Sequence, residues 1–245
     1  MFKNLFKKEK HAIKEMEKEV KEANKSEKLR DDFFSLFFMV SYSKGKKRKD
    51  LIKKAKKIAD KTPEYKGWPK DANKFWNVEA FGWDARIPEK IRKFIKKELR
   101  KRTKGKTIEL GSGSCPYVSK SVLIDFSEEM LNNAPKAYKK IHSDLNKELP
   151  FKNSCFDSAS AVFVVDYLDN LNKTLKEIKR ILKKNGKLII IQSKKPISDY
   201  YHKHENKFWK ASELNRLLKS NNFKTKIDEF KIENNELVLI EAKRL

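Results

Sequence analysis

Thr107 to Asp125, TIELGSGSCPYVSKSVLID, is the stretch that decides the fold. Ile108 and Leu110 mark a buried strand that breaks at Gly111 and Gly113, where a backbone without Cβ can pass close to a ligand. Val122, Leu123 and Ile124 form a second strand with Asp125 at its carboxyl end. In an open α/β sheet a nucleotide sits at that edge, and a carboxylate there accepts ribose hydroxyls. A dinucleotide fingerprint needs a third glycine three positions after the second, and Pro116 stands there, which disfavours NAD. A phosphate-cradling loop ending in Gly-Lys-Ser/Thr is absent as well.

With Glu109 included, the run resembles motif I of the class I S-adenosylmethionine-dependent methyltransferases, with Cys115 in place of the motif's last glycine. Further segments extend the resemblance in order. Leu123 to Leu131 is similar to that family's second strand and next helix, and His142-Ser143-Asp144-Leu145 to its adenine-contacting loop. Cys155-Phe156-Asp157 leads into the apolar run Ala159 to Val165, which resembles the fourth strand. Leu175 to Leu182, then Lys184 to Ile191, resembles the helix, turn and fifth strand that follow.

The resemblance covers residues 87 to 245 and implies a Rossmann-like, seven-stranded, mostly parallel sheet of order 3-2-1-4-5-7-6 with helices on both faces. It implies S-adenosyl-L-methionine as cofactor. Glu109 would help hold its methionine end, Gly111 and Gly113 would let the backbone approach it, and Asp125 would bind the ribose. Asp144 would bind the adenine amino group, Leu145 would flank the ring, and Val165 would end the fourth strand near the methyl group. Asp166 is either a helix cap or a site residue. Tyr200, Tyr201, His202 and His204, on the loop after strand five, either face the acceptor or are solvated. With Asp166, Tyr200 and His202 are the candidate catalytic residues. His202 and His204 lack further partners for a metal, so no metal is expected.

One departure bears on activity. Gly111 and Asp125 are 14 positions apart, against roughly 20 in the dinucleotide version of the unit. Parallel strands usually need a crossover of about a dozen residues or more, and Pro116 interrupts what remains. The first crossover helix is expected to be truncated or absent, which leaves a non-catalytic homologue open.

Outside this domain the chain divides into a lysine-rich helical extension, residues 1–61, and a ring-rich loop region, residues 62–86. In the extension Leu5, Ile13, Met16 and Val20 are spaced as a weak helical stripe. Asp31 and Asp32 would open a second helix through Phe33 to Met39, and Leu51 to Ala59 mark a third. The Phe33–Met39 cluster is apolar on more than one face, so it is expected either to pack on the methyltransferase core as an accessory helix or to meet a membrane surface or partner. Pro63, Gly67, Pro69 and Gly82 punctuate the next region, whose Tyr65, Trp68, Phe75, Trp76, Phe81 and Trp83 either anchor it or line a substrate pocket. Pro88 opens an amphipathic helix with Ile91, Phe94, Ile95 and Leu99 on one face. Two closing strands, 223–230 and 236–242, flank a turn at Asn234-Asn235.

The formal net charge is +25. Lysine dominates and is spread over almost every expected helix, so the charge reads either as general solvated surface or as a footprint for nucleic acid or an anionic membrane surface. Cys115 and Cys155 are isolated, which fits a reducing, cytoplasmic setting. No apolar run approaches the ~18 residues of a transmembrane segment.

These readings favour a methyltransferase acting on a small-molecule or lipid-like acceptor. The alternatives are an RNA methyltransferase directed at ribose or a ring carbon, or a nucleic-acid-binding module that keeps the fold without catalysis. Val165-Asp166-Tyr167-Leu168 stands where amino-methylating nucleic-acid enzymes carry N/D-P-P-Y/F, which argues against base amino groups.

Overall fold

The computed structural model describes residues 2–195 and 208–245 and divides into two compact units, Met1–Phe75 and Trp76–Leu245. In the first unit, helix α1 (Phe2–Ser41) runs unbroken for 40 residues, and a short turn leads to α2 (Gly45–Ala59), which packs against it. The two helices read from the sequence within residues 5–39 are therefore one. No glycine or proline interrupts that span, so nothing halts the backbone ladder at Asp31. Phe33, Phe37, Val40, Leu51, Ala55 and Ala59 are buried. Phe33 stacks on Tyr65 at 4.7 Å and meets Trp68 edge-on at 5.2 Å, so those two rings anchor residues 62–68.

Part of the expected loop region is helical. Helix α3 (Ala72–Glu79) starts where the Asp71 carboxylate accepts the Lys74 backbone amide at 2.9 Å, an N-cap that satisfies an orphan donor of the first turn. One turn of helix, α4 (Trp83–Arg86), follows.

The second unit is built on a seven-stranded sheet of order β3-β2-β1-β4-β5-β7-β6, as the resemblance implied. Strands β1 (Thr107–Leu110), β2 (Val122–Asp125), β3 (Lys139–His142), β4 (Phe156–Val162) and β5 (Leu182–Ser193) are parallel. Strand β7 (Asn235–Arg244) runs antiparallel to β5 and to β6 (Phe223–Ile232). The hairpin turn is one residue earlier than expected, with Glu233 at φ 53°. A parallel sheet must be covered on both faces, and alternate residues of β5 go to opposite layers. Leu188 and Ile190 face α7 (Leu171–Ile181) and α8 (Ala211–Ser220). Ile189 and Ile191 face Ile91, Ile95 and Leu99 of α5 (Glu89–Arg102).

Strand β5 begins earlier than its apolar run suggests. Leu182 pairs with Phe156, and the register then shifts before Lys187 pairs with Ser158. The bulge between holds Asn185 at φ 64°. A Cβ on Gly186 would lie 2.8 Å from the Lys183 carbonyl oxygen, so the bulge closes only around glycine.

Between β1 and β2 there is no helix: residues 111–121 cross in irregular structure. After β2, Ser127 caps the short helix α6 (Glu128–Asn133) by accepting the Met130 amide at 3.1 Å.

Candidate functional site

The loop after β1 is shaped by two carboxylates. Glu109, on β1, turns its side chain to the returning crossover. Its Oε2 accepts the Tyr117 amide at 2.8 Å; its Oε1 accepts the Val118 amide at 3.0 Å and the Ser121 hydroxyl at 2.6 Å. These bonds give the helix-free crossover a fixed path, and Tyr117 and Val118 pack on the apolar layer that includes α5. Burial raises the Glu109 pKa above the usual carboxylate value, and the three donors oppose that shift.

Asp125, at the carboxyl end of β2, is also buried. Its Oδ2 accepts the Gly113 amide and its Oδ1 the Ser127 amide, each at 2.9 Å. Burial pushes its pKa up, while the amides of Ser127, Gly113 and Phe126 favour the charged form. Gly111 and Gly113 both have positive φ, 57° and 59°. At Gly111 a Cβ would fall 2.4 Å from Val164 Cγ2, so both conformation and space demand glycine.

The structure places the sequence-derived site residues unevenly. Glu109, Gly111, Gly113 and Asp125 form one cluster at the carboxyl edge of β1 and β2. Asp144 accepts the Asn146 amide at 2.9 Å in the loop after β3. Leu145 and Val165 join the apolar layer on the α7 face, and the Leu145 carbonyl accepts the Thr174 hydroxyl. Asp166 lies in a 3-10 turn (Val165–Tyr167) after β4 and caps no helix. Its carboxylate accepts the Gln192 side-chain amide and, at 3.0 Å, the Trp209 backbone amide. Burial pushes the Asp166 pKa up to about 6. Just before it, Phe163 sits at φ 55°, an outlier for a bulky residue. Tyr200 and His202, like Tyr201 and His204, lie outside the described residues. Among the described residues no group of acidic, cysteine and histidine side chains could hold a metal ion.

Residues 76–86 lie over the glycine loop. Trp83 Nε1 comes within 3.3 Å of where a Gly113 Cβ would be. Trp83 meets Trp76 at 5.3 Å, and Trp76 meets Tyr167 at 5.0 Å, both edge-on. Asp84 Oδ1 accepts the Ser114 hydroxyl at 3.0 Å and the Cys115 thiol at 2.6 Å. Burial and that contact push the Cys115 pKa up to about 12, so the thiol stays protonated. Ser127 donates its hydroxyl to Asn77 Oδ1 at 2.7 Å, and Asn133 donates to the Ala80 carbonyl at 3.2 Å. A bidentate ion pair holds the segment's own shape. Arg86 Nε and Nη2 meet the fully buried Glu79 carboxylate at 2.6 and 2.9 Å. Sequence reading had only the rings as a signal here. Nothing in the sequence marked Asn77, Asp84 or Gln192.

The chain matches known proteins in this region. The family described as "Methyltransferase domain" matches residues 107–190, from β1 into β5. An uncharacterized protein, MJ1123 of Methanocaldococcus jannaschii, is 31% identical over 136 residues, 49% of this chain and 65% of that protein. The "Ubiquinone/menaquinone biosynthesis C-methyltransferase UbiE" of Rickettsia prowazekii is 35% identical over 96 residues, 33% of this chain and 37% of the relative. The chain thus spans less than two thirds of the length of either relative. A solved SAM-dependent methyltransferase from Aquifex aeolicus shares the fold, with a TM-score of 0.55 at 20% identity over 69% of this chain and 98% of that one. Residues 107–190 thus match a methyltransferase domain, set in a sheet of the order, and on the fold, that the solved methyltransferase shares.

Proposed function

We propose that the protein is an S-adenosylmethionine-dependent methyltransferase whose acceptor is a small or lipid-like molecule. The observation that carries this reading is the buried Asp125 carboxylate at the end of β2, bridged to the Gly113 amide beside it. Each carboxylate oxygen has a second lone pair to offer a ribose hydroxyl. Gly111 and Gly113 present backbone without side chains at the same edge, so the residues present fit an adenosyl group.

S-adenosylmethionine bound there would supply a methyl group already activated by its sulfonium. The protein's task is then to align the acceptor and exclude water. Trp83, which lies against Gly113, suits the second part, and Trp76 and Tyr167 continue its ring contacts. Glu109 supports the site by fixing the crossover, its oxygens already engaged by Tyr117, Val118 and Ser121. Asp144 remains the candidate for the adenine amino group, with Leu145 and Val165 as apolar support beneath the loops. Where the acceptor must lose a proton, an Asp166 carboxylate with a pKa near 6 can take it on Oδ1 or Oδ2 near neutral pH.

The acceptor class follows the relatives, one of which is named for ubiquinone and menaquinone biosynthesis. Thermal denaturation with S-adenosylmethionine, NAD and ATP, each in excess, tests the cofactor. A ligand that binds only the native state raises the midpoint, and the proposal expects a rise with S-adenosylmethionine alone. A rise with NAD or ATP alone would overturn it.

A further inference from the structure

Between Asp32 and Asp50 the chain has no acidic residue, while Lys44, Lys46, Lys47, Arg48 and Lys49 all fall inside that interval. The stretch forms the end of α1, the turn and the start of α2. On the inner side of α1, Phe37 and Val40 are buried. On the outer side, Phe38 is 44% exposed, Met39 48% and Tyr42 88%. At about 100° per residue Tyr42, just past the end of α1, falls between Phe38 and Met39 in angle, so the three share one side of the helix end. Lys44, Lys46, Lys47 and Lys49 are exposed beside them. Nothing lies within 4 Å of a Cβ built on Gly45, so the turn itself is open to solvent.

We propose that this tip docks on an anionic membrane surface. Two rings and a methionine clustered at one helix end are an apolar wedge, and the flanking lysines supply the charge that anionic phosphates attract. Single-stranded nucleic acid would instead need ring faces spaced along a basic groove, and Met39 has no ring face to offer. No helix among the described residues is long and apolar enough to cross a membrane, so the contact is peripheral. The inference stands apart from the cofactor reading, because none of these residues belongs to the candidate site.

Co-sedimentation of the full chain with phosphatidylcholine vesicles, with and without phosphatidylglycerol, tests it. The expected result is binding only where phosphatidylglycerol is present, weakened by added salt. Two triple variants, Phe38→Ser/Met39→Ser/Tyr42→Ser and Lys46→Glu/Lys47→Glu/Lys49→Glu, should each reduce partitioning by about tenfold or more. All six side chains are exposed, so circular dichroism should show both variants folded. Binding unchanged in the serine variant would overturn the wedge. A wild-type chain that ignores the vesicles, yet shifts RNA in a salt-dependent way, would overturn the proposal in favour of a nucleic-acid partner.

Discussion

The backbone amide of Gly113 donates to Asp125 Oδ2 across 2.9 Å, tying the glycine loop after β1 to the carboxyl end of β2. The same carboxylate holds the Ser127 amide. One buried side chain therefore fixes both loops that border the candidate cofactor site. Replacing Asp125 by alanine leaves two amides without their acceptor, at about 1–3 kcal/mol each if no water takes its place. The expected outcome is a less stable but folded protein, measured by urea denaturation.

Glu109 does the work of the missing crossover helix. Glu109→Gln keeps the volume but turns an amide NH2 toward donors, so at least one of the Tyr117, Val118 and Ser121 bonds is lost. We expect a loss of about 1–3 kcal/mol and faster hydrogen exchange at Tyr117 and Val118. Unchanged exchange there would show that packing alone holds the crossover.

Gly111→Ala should be among the costliest single substitutions. It adds a Cβ at φ 57° and 2.4 Å from Val164 Cγ2. The left-handed backbone alone costs about 1–3 kcal/mol. Val164→Ala should relieve the steric part of the penalty and leave the backbone part, so a double-mutant cycle should give a favourable coupling.

Asp166 links pH to stability. Its pKa stands at about 6 in the fold, against an ordinary 3.8. Between those values the native state binds a proton that the unfolded state does not, so stability rises as pH falls through this window. Asp166→Asn should flatten that part of the stability–pH curve. If Asp166 also takes a proton from the acceptor, the rate of methyl transfer should rise with an apparent pKa near 6, and the variant should lose that limb.

Arg86 partners a carboxylate with no exposure. Arg86→Met removes this ion pair from a buried carboxylate, a change that costs about 3–5 kcal/mol when a buried pair is broken. Thermal denaturation should show the loss, and Arg86→Met with Glu79→Leu should recover most of it.

The sequence made the centre of the sheet readable because β1, β2, β4 and the later half of β5 contain short apolar runs bounded by glycine, serine or charge. The order of the strands came from the resemblance rather than from any residue pattern. The count from Gly111 to Asp125 was enough to expect a missing crossover helix, since chain length limits what can fit. It could not show that Glu109 would secure the crossover, because that depends on where residues 117–121 return. Helix α3 stayed hidden because its cap, Asp71, sits among prolines and glycines that read as loop. Asn77 and Asp84 were invisible for a similar reason: their partners, Ser127 and Ser114, lie 50 and 30 positions away. Contacts of that range leave no local pattern.

Calorimetric titration of S-adenosylmethionine into the wild-type chain and into Asp125→Ala tests the central claim most directly. The expected result is saturable binding by the wild type, with affinity lowered at least about tenfold in the variant, as the loss of a buried ribose contact implies. A folded wild-type chain that takes up no S-adenosylmethionine, or a variant that binds it equally well, would contradict the assignment of this edge as the cofactor site.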